Sequence, residues 1–339
     1  MKYALVDPLN TFSRARHVAA RGADSWAKIG MAIHITLSSV QRAVRDFGVD
    51  HAVFCLEGRS WRKDFYPPYK RNRQEARAAQ TAAQAEEDRE FFAAYDDLCK
   101  FLIDHSACTV LQCPVAEADD LIARWIALHS EDEHIIISSD SDFHQLICDR
   151  VSQFNGVSNE HITANGIFNE RGQPALDRRT KQPKKIEDPQ WLLFEKCMRG
   201  DVTDNIFSAY PGVRKQGSKN RVGLLEAYAD KHSKGFNWNN LMLQRWVDHN
   251  GVEHRVLDDY ERNCHLIDLT AQPSSIKESI DRSIVETVHI KQPAQIGSHF
   301  LKFCGRYELN RIADSAQSYV AWLGQKYPGN LNCVSKTHS

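Results

Sequence analysis

Carboxylates are crowded in one short stretch of the chain, residues 115–122, where Glu117, Asp119 and Asp120 open an amphipathic pattern. Charges placed this closely repel one another unless a cation neutralises them. The stretch is therefore a candidate metal site. Acids are also common in the first turn of a helix, where they complement the helix dipole, so this ordinary explanation stays open.

Further carboxylates stand directly after short apolar segments that have the pattern of buried strands. The segments at residues 2–6, 51–56 and 134–137 are followed by Asp7, by Glu57, and by Asp140 with Asp142. Asp is also favoured in turns, which is the alternative for any one of these acids. A last pair, Asp201 and Asp204, is spaced to lie on one side of a helical turn, with a helix N-cap as the alternative.

The elements that must position these acids alternate between strands and helices. A helical pattern over about 26–47 separates the first two strand-like segments. Such alternation predicts an α/β fold with a mainly parallel central sheet, and ligands of such sheets bind beyond the carboxyl ends of the strands. We therefore expect the strand-end acids to converge.

Basic and aromatic residues alternate over residues 59–73, which include Arg62, Tyr69, Lys70, Arg71 and Arg73. Cations meet phosphates and aromatic faces stack on bases, so this segment suits a nucleic-acid strand, although most charge runs are only solvated faces. Residues 74–101 have high helix propensity but few large apolar residues before Phe91. We expect this helix to project or move.

The second half of the chain contains a polar excursion at 159–185 and a glycine-punctuated basic turn at 210–225. The amides of such a turn can hold a phosphate, and its carbonyls can hold a monovalent cation. The basic residues of the turn are Arg214, Lys215, Lys219 and Arg221. Residues 258–323 are mainly helical in pattern, and the tail after Pro328 is expected to be disordered.

Composition is that of an ordinary globular protein, with 42% hydrophobic and 26% charged residues. The net charge is −1, yet bases exceed acids once the nine nominated carboxylates are set aside. No segment has the apolar length of a membrane span or a signal peptide, and a cytoplasmic protein is expected. Nine cysteines without a Cys-x-x-Cys pair favour reduced thiols over disulfides or a zinc ribbon.

In this order, the motifs resemble the 5′ nuclease superfamily of flap endonucleases and DNA polymerase I 5′ nuclease domains, and most of all its T-even phage ribonuclease H type. The likeness runs from Asp7 to about Leu323. Its specific parts are the segments 61–65 with 69–73, 117–120, 139–143 and 200–205.

The resemblance implies a PIN-like core at 1–200 with a helical arch at 62–101, and a helix-three-turn-helix with C-terminal helices at 201–328, before a tail at 329–339. It places the arch helix at 74–101 and the helix-three-turn-helix at 205–229. It further implies two Mg²⁺ ions per site, for which Mn²⁺ can substitute. By this resemblance Asp7, Glu57, Glu117, Asp119 and Asp120 serve the first ion, and Asp140, Asp142, Asp201 and Asp204 the second.

The resemblance also assigns roles to the basic residues. Arg62 and Lys70 resemble the arch-base cations near the scissile phosphate, and Tyr69 resembles the base-stacking aromatic. DNA contacts would come from Arg71, Arg73, Arg214, Lys215, Lys219 and Arg221.

Two positions depart from the family pattern. Glu57 stands where the family usually has Asp, and residues 215–220 disturb the glycine pattern that would hold K⁺ in the helix-three-turn-helix. The expected partners are branched or nicked DNA, RNA–DNA hybrid and a single-stranded-DNA-binding protein, and the expected state is a monomer without membrane contact.

Hard oxygen ligands without a His or Cys at ligand spacing favour magnesium or manganese. Two such ions can activate water and stabilise the departing oxygen of a phosphodiester. With this chemistry, the resemblance implies a structure-specific 5′-to-3′ exonuclease and flap endonuclease, with roles in primer and flap removal. The alternatives are a PIN-type nuclease confined to RNA, and a DNA-binding member of the fold without catalysis.

Overall fold

The computed structural model describes residues 1–16, 24–288 and 293–329. The chain forms two compact units, and each unit is built from separate segments. The first unit contains residues 1–60, 80–186 and the chain from 274 onward, and the second contains residues 61–79 and 187–273. This division differs from the expected boundary after residue 200, because the C-terminal helices belong to the same unit as the sheet.

The strands in chain order are β1 Lys2–Val6, β2 His51–Leu56, β3 Thr109–Gln112, β4 Glu133–Ile137, β5 Val151–Asn155, β6 Glu160–Thr163, β7 Gly166–Phe168, β8 Arg245–Val247 and β9 Glu253–Arg255. The helices are α1 Pro8–Arg16, α2 Ser25–Phe47, α3 Arg62–Phe65, α4 Arg71–Ala78, α5 Ala82–His105, α6 Ala118–Leu128, α7 Pro189–Arg199, α8 Leu224–Ala229, α9 Phe236–Met242, α10 Val256–Ile267, α11 Ser274–Val288, α12 Ile296–Arg306, α13 Asn310–Ala313 and α14 Ala316–Leu323. A 3₁₀ helix spans Ser141–Leu146.

The first unit is organised around a seven-stranded sheet in the order β3-β2-β1-β4-β5-β6-β7. The first five strands of this order are parallel, and β6 and β7 add to the edge as antiparallel strands. The predicted α/β fold with a mainly parallel sheet is confirmed. The excursion at 159–185 therefore begins by extending the sheet, which the polar sequence did not indicate.

Apolar residues of β1, β2 and β4 are buried on both faces of the sheet because helices cover them. One core of this unit combines sheet residues with α2, α5 and the C-terminal helices α12 to α14. Helix α2 begins at the N-cap Asp24, whose carboxylate accepts the Ala27 amide at 2.7 Å, and it ends at the left-handed Gly48. Local signals therefore set its bounds, which agree with the predicted helix over about 26–47.

The second unit is mainly helical and includes the hairpin of β8 and β9. Its core is formed by side chains of α7, α8, α9 and α10 together with Tyr69. The predicted helix-three-turn-helix over 205–229 contains one helix, α8, within those bounds; the helix that precedes the turns is α7, which ends at Arg199.

The predicted arch region, 62–101, contains α3, α4, which has no buried side chain, and most of α5, whose first buried residue is Phe91. The exposed start of α5 is nevertheless tied to the sheet unit, since Arg16 pairs with Glu87 and Asp88. No helix in the described part of the chain is long and apolar enough to cross a membrane. The predicted disordered tail begins at residue 329, and its residues from 330 onward lie outside the described residues.

Candidate functional site

Asp7 stands directly after β1, the strand from which the sheet order runs towards β2 on one side and β4 on the other. Open parallel sheets bind ligands at the carboxyl ends of strands at such a reversal of order. The side chain is 3% exposed. The Asn10 amide donates to its Oδ1 at 3.1 Å, and the Ser138 hydroxyl donates to its Oδ2 at 3.1 Å, so the carboxylate is fixed in position.

The electrostatic environment of Asp7 favours a cation. Burial and the nearby charges of Glu57 and Asp140 raise the pKa of Asp7 to about 7, against the lowering effect of the Asn10 and Ser138 hydrogen bonds. A buried carboxylate that faces two further acids is costly to ionise in the absence of a neutralising charge. The acids that follow β1, β2 and β4 therefore lie close enough for Glu57 and Asp140 to raise the pKa of Asp7.

Glu57 lies in the loop after β2, and its Oε2 accepts the Ala118 amide in the first turn of α6 at 3.2 Å. Gly58, the residue after Glu57, allows this loop to lie close to the segment before α6. A Cβ at Gly58 would come within 2.0 Å of the Cys113 carbonyl oxygen and 2.5 Å of the Ala116 carbonyl oxygen. Gly58 is therefore required by close backbone approach, and this approach brings Glu57 to the N-terminus of α6.

The acidic cluster at the start of α6 divides into different environments. Glu117 is buried and accepts the Ser60 hydroxyl at 2.7 Å. Asp120 is fully buried, and its Oδ2 accepts the Glu117 amide at 3.2 Å, which is a helix-capping contact at the start of α6. Asp119 is half-buried. Burial is the main reason why the pKa of the Cys55 thiol is raised, and the charges of Asp7, Asp119 and Glu57 raise it further. These three acids therefore all interact electrostatically with the same buried thiol.

Asp140 and Asp142 stand at the start of the 3₁₀ helix after β4. The Asp140 Oδ1 accepts the Asp142 amide at 2.9 Å, and the Asp140 amide donates to the Ser138 hydroxyl at 3.1 Å. The buried Gln153 amide group donates to the carbonyl oxygens of Ser138 at 2.9 Å and Asp140 at 2.7 Å. These hydrogen bonds therefore fix the conformation of the loop that carries Asp140 and Asp142.

The donor set of the first unit suits a hard divalent cation, because it consists of carboxylate and hydroxyl oxygens around a buried acid of raised pKa. Across residues 1–16, 24–288 and 293–329, no three Asp, Glu, His or Cys side chains form a group that could hold an ion. The acids thus interact electrostatically, but they do not form a closed ligand shell.

Asp201 and Asp204 lie in the second unit and are bound there by cations. The Lys196 ammonium is 2.8 Å from Asp201 Oδ2. Burial raises the pKa of Asp201, but the hydrogen bond and charge of Lys196 outweigh burial and leave the pKa below its ordinary value. Asp204 pairs with Arg73 at 2.5 Å and with Lys70 at 3.6 Å.

Two of the basic and aromatic residues of 61–73, Tyr69 and Arg62, are buried. Tyr69 is 4% exposed, packs in the core of the second unit and donates its hydroxyl to Asp204 Oδ2 at 3.1 Å. Its ring therefore offers no open face to a base in this structure, contrary to the expected stacking role. Arg62 is also buried, with its Nε donating to the Leu266 carbonyl oxygen at 2.8 Å.

Lys70 begins α4 in the left-handed region, with a φ of 54°. Its amide donates to the Asp204 carbonyl oxygen at 2.8 Å, and its ammonium lies 4.9 Å from the centre of the Tyr69 ring. Arg71 is exposed and pairs with Glu75 at 3.4 Å. Residues 69–73 are thus organised around the Asp204 loop.

The basic turn at 210–225 presents Arg214, Lys219 and Arg221 as exposed residues, while Lys215 pairs with Glu187 at 2.8 Å. The amides of Gly217 and Gly223 both donate to the Glu226 carboxylate at 3.0 Å. These two amides therefore bind a carboxylate of the chain itself, where the sequence had indicated a possible phosphate contact.

Several residues that hold the candidate ligands were missed by the sequence analysis. They are Ser60, Ser138, Gln153 and Asn72, of which Asn72 donates to the carbonyl oxygens of Val202 and Thr203 at 3.2 Å. Only Ser138 carried a signal, because it follows β4 directly and precedes the acids. The others depend on contacts between distant parts of the chain.

Comparison with known proteins places this geometry in a family. The family model described as "5'-3' exonuclease, N-terminal resolvase-like domain" matches residues 2–172. The chain belongs to this 5′–3′ exonuclease family. The matched range contains the acids of the first unit, from Asp7 to Asp142, and ends before Asp201 and Asp204.

Individual relatives of this family are distant. The chain is 28% identical to DNA polymerase I of Rhizobium leguminosarum over 180 residues, which are 52% of this chain and 15% of the polymerase. It is 26% identical to the flap endonuclease of Escherichia phage T5 over 201 residues, which are 57% of this chain and 62% of the phage protein. The matches thus span less than two thirds of either relative.

The fold agrees with a solved structure of the family. A phage T5 flap endonuclease, crystallised as a pseudo-enzyme-product complex with DNA and metal ions, superposes with a TM-score of 0.53 at 17% identity, over 91% of this chain and all of that chain. At this identity the likeness shows the fold, which is that of the PIN-like 5′ nucleases. The predicted family and fold class are therefore confirmed.

Proposed function

We propose that this protein is a divalent-metal-dependent 5′ nuclease that hydrolyses phosphodiesters in DNA flaps, nicked DNA and RNA–DNA hybrids. The observation that carries the proposal is Asp7, a buried acid at the carboxyl end of the central strand whose pKa is raised by burial and by Glu57 and Asp140. Such an arrangement is favourable once a cation is bound. Family membership, and the DNA and metal ions in the T5 complex, support the same proposal.

Mg²⁺ is the proposed metal, with Mn²⁺ as a substitute, because the candidate ligands are hard oxygens. Asp7, Glu57 and Asp119 would hold the first ion, together with Glu117 and Asp120, directly or through water. Asp140 and Asp142, and from the second unit Asp201 and Asp204, are proposed for the second ion on the family resemblance. A bound divalent ion supplies a water of lowered pKa and neutralises charge on the phosphate.

Other residues of the chain hold the proposed metal ligands in position and contact the substrate. Ser138 and Asn10 hold the Asp7 carboxylate, and the Ala118 amide holds that of Glu57, so both are oriented before a substrate arrives. Preorganised groups of this kind cost no rearrangement at the moment of reaction. Lys70 and Arg62 are proposed to stabilise charge on the reacting phosphate, and Arg71, Arg73, Arg214, Lys215, Lys219 and Arg221 to contact the DNA backbone.

Further parts of the proposal rest on the resemblance alone. They are a role in replication-linked primer and flap removal, a monomeric state in the cytoplasm, and contact with a single-stranded-DNA-binding protein. A K⁺ ion held by carbonyl oxygens of the turn 210–225 is a further part, although residues 215–220 disturb the glycine pattern that would hold it.

The test is incubation of the purified chain with 5′-labelled flap, nicked and RNA–DNA hybrid substrates, with Mg²⁺, with Mn²⁺ and with excess EDTA. We expect Mg²⁺-dependent cleavage near the junction of the flap. Cleavage confined to RNA would favour the PIN-type RNA nuclease, and binding without cleavage would favour a non-catalytic member of the fold. Cleavage that persists unchanged in EDTA would contradict the metal-dependent mechanism.

A further inference from the structure

The second unit carries two exposed phenylalanine rings beside α10, next to the partly buried side chains of Tyr66 and Arg262. Phe207 is 58% exposed and Phe65 is 50% exposed, although both are large apolar rings. The Tyr66 ring lies edge-on to Phe207 at a centroid distance of 6.4 Å, and the Arg262 guanidinium lies 5.2 Å from the centre of the Tyr66 ring. At the other end His265 lies 5.7 Å from Phe65.

These contacts form one continuous surface, because Arg262 and His265 are three residues apart on α10 and so lie on the same side of the helix. We name this surface, made of Phe65, Tyr66, Phe207, Arg262 and His265, the α10 strip.

The position of Phe207 is fixed although its ring is exposed. Its carbonyl oxygen accepts hydrogen bonds from the buried Asn263 side chain at 2.9 Å and from the Arg262 guanidinium at 3.3 Å. Its backbone also packs against Gly200, where a Cβ would come within 2.7 Å of the Phe207 carbonyl carbon. A large apolar ring held in solvent by a rigid backbone loses little conformational entropy when a ligand covers it.

The charge around the strip identifies the kind of ligand. The segment 61–79, which supplies Phe65 and Tyr66, contains six Lys and Arg residues against two acids. Helix α10 itself contains Asp258, Asp259 and Glu261, and Asp259 pairs with Arg262, so the cations that attract a polyanion lie on the segment 61–79. Exposed rings beside these cations suit unpaired bases, whose faces are open for stacking. A duplex does not offer these faces, since its bases are already stacked on one another.

We propose that the α10 strip binds the unpaired strand of a nucleic-acid substrate by stacking bases on Phe207 and Phe65. This inference rests on the proposed function for its biological setting, and it reassigns base stacking from the buried Tyr69 to two exposed rings. Arg262 orients Phe207 and Tyr66, and His265 supports Phe65.

The test measures binding of a fluorescein-labelled oligothymidylate and of a blunt duplex by anisotropy, in EDTA so that nothing is cleaved. Base stacking is worth about 1–3 kcal/mol per base, so Phe207→Ala and Phe65→Ala should each weaken oligothymidylate binding at least about 5-fold. Duplex binding should be unchanged. Phe207→Tyr, which keeps a ring, should bind as the wild type does.

Phe236→Ala is the matched control, because Phe236 is an exposed phenylalanine of the same unit that lies outside the strip. It should leave both affinities unchanged. The dependence of affinity on salt separates stacking from phosphate contact: the alanine variants should lower the affinity but keep the wild-type salt slope. Thermal denaturation of each variant identifies any loss that arises from unfolding.

Wild-type oligothymidylate affinity in the Phe207→Ala, Phe65→Ala double variant would overturn the inference and leave the strip as a surface for a protein. An equal loss of duplex and oligothymidylate binding would also overturn it. The outcome is independent of catalysis: stacking without cleavage would contradict only the proposed function, and cleavage with unaltered strand affinity in the double variant would contradict only the α10 strip.

Discussion

Asp7→Asn should stabilise the metal-free protein at pH 8, although it removes a proposed catalytic ligand. Asp7 is buried, and its pKa of about 7 in the fold exceeds its ordinary value of 3.8. Each tenfold change in acidity is worth 1.36 kcal/mol, so ionising this acid in the fold costs about 4 kcal/mol. Asparagine avoids that cost, and one impaired hydrogen bond offsets about 1–2 kcal/mol of the gain. The expected net gain is about 2 kcal/mol.

The direction in which stability changes with pH follows from the difference between the folded and the ordinary pKa of Asp7. Because the folded pKa is raised, the stabilising contribution of Asp7 is complete below pH 4, where the acid is protonated in both states, and it is lost as the pH rises through about 7. The stability difference between Asp7→Asn and the wild type should therefore be large at pH 8 and small at pH 5. Urea unfolding of both proteins in EDTA at these two pH values measures it.

A matched control, Asp46→Asn, should change the stability in the opposite direction. The hydrogen bond and the charge of Arg45 outweigh the opposing effect of burial and leave the pKa of Asp46 below its ordinary value, so Asp46→Asn should lower stability at pH 8. Added Mg²⁺ should stabilise the wild type more than Asp7→Asn. If Asp7→Asn is less stable than the wild type at pH 8 without metal, the charge repulsion assigned to this strand end is wrong.

Asp119→Asn should nearly abolish Mg²⁺-dependent cleavage while leaving DNA affinity largely intact, and comparison of turnover with anisotropy checks both. Glu57→Gln should weaken the apparent Mg²⁺ affinity, because it removes charge but keeps the shape that accepts the Ala118 amide, whereas Glu57→Asp should retain substantial activity in the same titration. Lys70→Ala should lower the single-turnover rate by about 100-fold, as expected for loss of a group that stabilises transition-state charge, with a much smaller change in substrate affinity.

The control for Lys70→Ala comes from the neighbouring residue. Arg71→Ala removes an exposed cation of the same helix start and should weaken binding without a comparable loss of rate. Wild-type turnover in Asp119→Asn at saturating Mg²⁺ would contradict the metal site. A Glu57→Gln protein that titrates with Mg²⁺ like the wild type would remove Glu57 from it, and equal losses of rate and affinity in Lys70→Ala would make Lys70 an ordinary phosphate contact.

Strands β1, β2 and β4 and their acids could be predicted because each of these strands is an apolar run that is followed within three residues by a carboxylate. In a parallel sheet, this local pattern alone brings Asp7, Glu57 and Asp140 to one edge. The start of α7 also had a readable signal that the prediction overlooked. Asp188 precedes Pro189, which is a common N-cap and first-turn pair, and its carboxylate accepts the Trp191 amide at 2.7 Å.

The environment of Tyr69 could not be predicted, because it depends on Asp204, which is 135 residues away in the chain. An aromatic residue in a basic segment suits either a ligand or a core, and only the tertiary partner decides between them. The capping contact of Asp120 had the same ambiguity. The assignment of the C-terminal helices to the sheet unit was missed because an amphipathic pattern specifies an apolar face but does not specify which core it joins.

The core of the first unit combines sheet residues with the C-terminal helices α12 to α14, and this affects the order in which the chain can fold during synthesis. Phe303 on α12 stacks with Phe101 at 4.8 Å, Trp322 on α14 stacks with Phe54 of β2 at 6.4 Å, and the His51 ring bonds to the Gln325 carbonyl oxygen at 3.0 Å.

A ribosome that adds about 5–20 residues per second needs on the order of ten seconds to proceed from the end of the family match at Gly172 to these helices. During that interval β2 and α5 lack part of their apolar cover. The apolar surface of the newly made sheet thus stays partly exposed until these helices have been synthesised.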